Sequence, residues 1–152
     1  MAMWSVFGSG QTSNNVLLSA GVACGATARR GRIIDITLGS AAAPNDGTFN
    51  VNVMRISTAL GTQGSAVTPS ALDPADTVAA TSTAGVSYSA NPTLGVVLLQ
   101  LGFNQRSTVR WFAAPGEELV YAATQFAGVG IQPISPSPTA SNIAQSIVYR
   151  EE

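Results

Sequence analysis

Apolar and polar residues alternate along much of this chain in short runs, and turn-forming residues separate the runs. The clearest run is Thr48–Ser57 (TFNVNVMRIS), where Phe49, Val51 and Val53 alternate with Asn50, Asn52 and Met54. A period of two puts successive side chains on opposite faces, as in a half-buried strand. The phase blurs at Met54-Arg55-Ile56, which points to a bulge or to burial on both faces at that end. Arg32–Gly39 (RIIDITLG) is another strand, with Ile34, Ile36 and Leu38 on one face and Ile33, Asp35 and Thr37 on the other. Between the two lies Pro44-Asn45-Asp46-Gly47, a strong turn signal because Asp-Gly tolerates positive φ, so the pair reads as a β-hairpin.

The remaining runs are weaker. Ala2–Gly8 alternates loosely with Trp4 and Val6 on one side, and reads as a first strand or as an arm that docks on a neighbour. Residues 1–12 are therefore set apart from a single domain over 13–152, with a turn at Ser9-Gly10-Gln11-Thr12. Asn15–Cys24 and Gly85–Ala90 are short strand candidates. Leu94–Phe103 (LGVVLLQLGF) is nearly continuous in apolar character, which predicts a central strand buried on both faces. Asn104–Ala113 and Glu118–Thr124 flank a turn at Ala114-Pro115-Gly116. Gly128–Gln132 and Gln145–Tyr149 come last, separated by the proline-rich Pro133–Pro138.

One stretch follows a different grammar. In Val67–Ala84, Pro69 and Pro74 bracket Asp73-Pro74-Ala75-Asp76, which has the form of a helix start. Asp73 can cap free N–H groups, Pro74 suits the first helical position, and Asp76 adds negative charge to the first turn. The segment reads as a crossover between two sets of strands. The expected fold is all-β, a jelly-roll-like β-sandwich of about eight strands with at most one short helix.

Composition sharpens the picture. Of the 152 residues, 45 % are hydrophobic, enough for one core, but only 10 % are charged, against roughly 25 % in an ordinary soluble domain. All the basic residues are Arg. A surface so poor in charge resists close neighbours weakly and suits an assembly. The net charge of −1 and a pI near 5.3 favour neither nucleic acid nor an anionic membrane. The one basic cluster, Arg29-Arg30-Gly31-Arg32, reads as a solvated turn before a strand. Met1–Gly10 lacks the basic start and apolar core of a signal peptide, and Leu94–Phe103 is too short to span a bilayer, so a soluble, cytosolic product is expected. Cys24 is alone, and the chain has no intrachain disulfide to depend on.

Candidate chemistry is sparse. Without His or Lys and with one Cys, the chain cannot build a Ser-His-Asp or Cys-His triad, a His/Cys zinc site, a Schiff base or a P-loop. Paired carboxylates are the remaining catalytic option, yet most acids stand at turns or at the chain end, as Glu151-Glu152 do. Asp73 and Asp76 are explained by capping without calcium, and no cofactor is expected. Trp4, Trp111, Phe112 and Tyr121 read as core aromatics or, alternatively, as a sugar-stacking platform.

The run Thr68–Ala79 (TPSALDPADTVA) resembles the central motif of tailed-bacteriophage head decoration, or cement, proteins, the motif being matched at Thr68, Pro69, Leu72, Asp73, Pro74, Ala75 and Asp76. Looser echoes are the strand and turn at Val6–Thr12, the Arg-rich lead-in to a strand at Arg29–Ile36, and the acidic close at Ile147–Glu152. Pro133–Pro138 has no counterpart in the pattern. The resemblance implies a jelly-roll minor capsid protein, a homotrimer on the outer surface of the virion, bound to the major capsid protein. Host cytoplasm is its expected location during assembly. Asp73, Pro74 and Asp76 are then residues of a structural crossover, and Trp4, Val6, Phe7, Arg29, Arg30 and Arg32 are candidate subunit or capsid contacts. A tail, neck or head-fibre component, or a carbohydrate-binding sandwich for host adsorption, is the alternative.

Overall fold

Alternating sequence gives strands, and strands dominate. A computed structural model of the chain describes residues 2–12, 17–41, 46–59, 61–76, 78–134 and 142–152. In chain order the strands are β1 Met3–Thr12, β2 Ala20–Ala23, β3 Gly31–Ser40, β4 Thr48–Ile56, β5 Ser65–Val67 and β6 Ser70–Ala71. They continue with β7 Thr83–Val86, β8 Leu94–Asn104, β9 Val109–Phe112, β10 Leu119–Tyr121, β11 Gly128–Ile134 and β12 Asn142–Glu151. No helix occurs among the described residues. The fold is an all-β sandwich of two antiparallel sheets, as the alternation predicts.

Sheet A runs β10-β3-β12-β1-β6, with β9 also paired to β3, and sheet B runs β5-β7-β2-β11-β4-β8. The pairing is nested: β1 lies against β12, β2 against β11, β3 against both β9 and β10, and β4 against β8. The core fills the space between the sheets. Ile33, Ile36 and Leu38 of β3 and Ile143, Ile147 and Tyr149 of β12 face Val22 of β2, Val129 and Ile131 of β11, and Phe49, Val51 and Val53 of β4. Most of these side chains are fully buried, each worth about 1.5–3 kcal/mol relative to exposure.

A smaller cluster of Leu18, Ile56 and Tyr88 forms apart from this core. Gly21 and Gly130 make room for it. A methyl group on Gly130 would meet Leu18, and one on Gly21 would meet Tyr88 and Ile56.

Several local expectations change. Arg32–Gly39 and Thr48–Ser57 are not a hairpin: β3 belongs to sheet A and β4 to sheet B, so the chain crosses the sandwich between them. Of the turn that prompted the hairpin, residues 44 and 45 lie outside the described residues. On β3 the phase slips at Ile34, which has no partner on β12 because Asp35 pairs with Val148 and Ile33 with Tyr149. The slip puts Ile33, not Ile34, on the buried face with Ile36 and Leu38. The expected irregularity near Met54–Ile56 is present as register shifts between β4 and β8.

Ser9–Thr12 is strand rather than turn, with a register shift between Gly8 and Gln11. Asn104–Ala113 and Glu118–Thr124 do not pair with each other, because β9 and β10 both pair with β3. Leu94–Phe103 is not central. It forms β8, the edge of sheet B, and much of it is exposed. Continuous apolar sequence carries no information about which edge of a sheet a strand occupies.

Candidate interaction surface

The outer face of sheet A is built by simple alternation. β1 turns Trp4 and Val6 into the core, so Met3, Ser5 and Phe7 face outward, and Phe7 is 63 % exposed. Directly paired residues share a face. One row across the sheet is therefore Phe7, Ser146, Thr37 and Arg110, and the next is Ser5, Val148, Asp35 and Phe112. Phe112 is 61 % exposed. Three strand spacings and two residues along the strand put Phe7 and Phe112 roughly 16 Å apart on this face. Thr37, Gly39, Ala144 and Ser146 leave an open trough of about 360 Å³ beside Phe7.

Charge on this face is largely self-neutralised. The Arg110 guanidinium donates to Asp35, with Nε to Oδ2 at 2.9 Å, and stacks over the Phe112 ring at 5.7 Å. At the other end Arg32 Nε donates to Glu152 at 2.6 Å and Arg32 Nη1 approaches Glu118 at 3.5 Å. Arg150 Nη2 donates to the other oxygen of Glu118 at 3.2 Å. Two arginines thus meet two glutamates. The Arg32 contact holds the Glu152 carboxyl below the usual range, and the Glu152 hydrogen bond raises Arg32. The face can offer a partner shape, exposed aromatic rings and small polar groups, with little net charge.

The expected contact residues divide. Trp4 and Val6 are core residues, 4 % and 1 % exposed, because the inward phase of β1 falls on them. Trp4 stacks on Tyr149 with centroids 5.9 Å apart. Phe7 is outward and exposed, and Arg29 and Arg30 lie exposed before β3. Arg32 is engaged by Glu118 and Glu152.

Asp73 does cap, donating nothing and accepting the N–H of Ala75 at 2.9 Å. Its carbonyl accepts the N–H of Asp76 at 3.0 Å, so Asp73, Pro74 and Asp76 make a single turn rather than a helix. That turn follows β6, which pairs with β1 at Trp4 and Ser5. The Val67–Ala84 stretch is thus a crossover between the sheets, from β5 in sheet B to β6 in sheet A and back to β7.

Among the aromatics, Tyr121 joins Trp4 in the core, Trp111 packs against it partly buried, and Phe112 is exposed. Sequence reading missed Asp35, Arg110, Glu118 and Glu151. Alternation in Val109–Phe112 does put Arg110 with Phe112, but only the sheet packing decides that this side faces outward. Glu151 is not a solvated terminal charge. It is 5 % exposed and takes hydrogen bonds from Thr81 and Ser82. No group of three or more metal-ligating side chains gathers among the described residues. Comparison of the chain with family models, with curated proteins and with solved structures finds no match.

Proposed function

We propose that this chain is a bacteriophage capsid decoration, or cement, protein that binds the major capsid protein shell from outside and stabilises the head without catalysis. The observation that carries the reading is the outer face of sheet A. It is broad, nearly neutral in sum, and exposes Phe7 and Phe112, with a trough of small residues beside Phe7. Such a face fits a flat protein partner, where buried aromatics supply most of the energy and neutral surroundings exclude water. The resemblance at Thr68–Ala79 supports the same role, and so does the low charge of the whole chain.

The strand order supports a jelly roll as the finer description. First strand against last, second against second-last and so inward is the order obtained by winding one long antiparallel ribbon into two sheets. On this reading β5, β6 and β7 are an insertion that widens both sheets.

Mixing purified protein with undecorated, expanded phage heads tests the proposal. The expected result is saturable, stoichiometric binding and heads that resist heat better. Heads that take up no protein at micromolar concentration, and melt unchanged, overturn it.

A further inference from the structure

The strand β8 has the sequence of a central strand and the position of an edge. Leu94–Asn104 contains no charged residue and no proline, and it ends sheet B beyond β4. Among the described residues no strand pairs with its other side. Val96 is 65 % exposed and its neighbour Val97 is 49 % exposed. Both valines lie where the register with β4 shifts, so apolar surface is open at one place along β8.

The other edge strands are short, and β6 covers β1 only at Trp4 and Ser5. β5 has three residues and β6 two, while β9 and β10 have four and three. Short length, charge and proline are common defences against edge-to-edge pairing, and β8 has none of these over eleven residues; its one irregularity is the register shift against β4 around Val97.

We infer that β8 pairs with β8 of a second copy, antiparallel and about a two-fold axis, so that sheet B continues across a dimer. Three features select a second copy over another occupant. An uncharged strand meets its own copy with no like-charge clash, whereas a charged edge would repel itself. β8 is the long edge of the molecule, and a two-fold contact needs one self-complementary surface, not two different ones. Eleven residues at about 3.3 Å each give an edge about 36 Å long. Pairing along most of it, over a strip roughly 10–12 Å deep, buries about half of the 800 Å² per partner of a standard interface, in keeping with a micromolar dimer. The inference does not rest on the capsid reading.

Sedimentation of the full chain over a concentration series up to about 100 μM, where a micromolar self-association saturates, reads the stoichiometry. A dimer is expected, shifted to monomer by at least about tenfold in dissociation constant in Val96→Lys and Val97→Lys, since edge lysines block pairing. Hydrogen exchange of the wild type adds a readout that does not depend on the variants folding. β8 amides should gain protection as concentration rises, while those of β5 should not. A monomer at the highest concentration overturns the inference. So does a trimer, the state that the family resemblance implies, and so does a dimer that both lysine variants leave intact.

Discussion

The Glu151 carboxylate accepts the backbone N–H of Thr81 at 3.0 Å and so ties the end of the last strand to a segment 70 residues earlier. It also accepts the Thr81 hydroxyl at 2.7 Å and the Ser82 N–H at 2.8 Å. Ser82 Oγ in turn shares a hydrogen bond with the Tyr121 hydroxyl at 2.6 Å. One buried acid therefore anchors the return of the crossover into β7. Its surroundings set its titration. Burial on its own raises the Glu151 pKa, but the hydrogen bonds from Ser82 and Thr81 outweigh it and hold the carboxyl below its ordinary value.

A depressed folded-state pKa makes the Glu151 contribution fully present above the unfolded value. It is lost as pH falls through the ordinary carboxylate range and on through the folded pKa. Glu151→Ala leaves buried N–H donors without an acceptor, at about 1–3 kcal/mol each. Glu151→Gln keeps one acceptor oxygen and should cost less. Urea melts at neutral pH should rank wild type above Gln above Ala. In acid the gap between wild type and Glu151→Gln should narrow, and a gap independent of pH would remove the carboxylate from the account.

Gly31 is a steric partner of Tyr121. A methyl group at Gly31 would fall within the Tyr121 ring, which is itself fully buried. Gly31→Ala should therefore destabilise by about 3 kcal/mol or more, at the upper end of overpacking costs. Adding Tyr121→Ala should recover part of that loss, so the two changes are non-additive in a double-mutant cycle read by denaturant unfolding.

Trp4 and Phe7 stand three residues apart on one strand and face opposite ways, Trp4 into the core and Phe7 outward. Trp4→Ala should cost about 3–5 kcal/mol, the range for deleting a large buried aromatic. Phe7→Ala and Phe112→Ala should stay within about 0.5 kcal/mol of wild type, as exposed substitutions do. On heads the order reverses. The Phe7→Ala/Phe112→Ala double variant should fold normally and bind at least about tenfold more weakly, a loss of about 1.4 kcal/mol or more.

Asp73 acts locally. Its exposed carboxylate caps the Ala75 N–H in a two-residue turn, so Asp73→Ala should cost no more than about 1 kcal/mol. A loss of several kcal/mol in thermal melts would mean that the turn supports more than itself.

Cys24 is buried, 1 % exposed, at the end of β2. Its thiol should react with a disulfide reagent only when the fold opens. The rate should rise steeply at the denaturant midpoint, and fast labelling of the native protein would contradict its burial.

Much of the fold was legible along the chain. Period-two alternation identified Phe49, Val51 and Val53 as one buried face, and the spacing of turns separated the strands into a sandwich. The crossover at Val67–Ala84 was legible too, and so was a capping carboxylate at Asp73, although it caps a turn and not the helix start expected. The outer face of sheet A was legible only through Phe7. Alternation on β9 relates Arg110 to Phe112, but Asp35 meets Arg110 from β3, and no local pattern relates it to them.

The sequence by itself determined which residues alternate, where the chain turns, and that no His- or Lys-based chemistry is possible. The tertiary structure alone decided which strands are neighbours. It split β3 and β4 between sheets, put the apolar β8 at an edge, and buried Glu151 against Thr81. The reason is physical: side-chain period is a property of a few adjacent residues, whereas strand pairing and burial are settled by contacts between distant ones, after the loop-closure cost of joining them has been met.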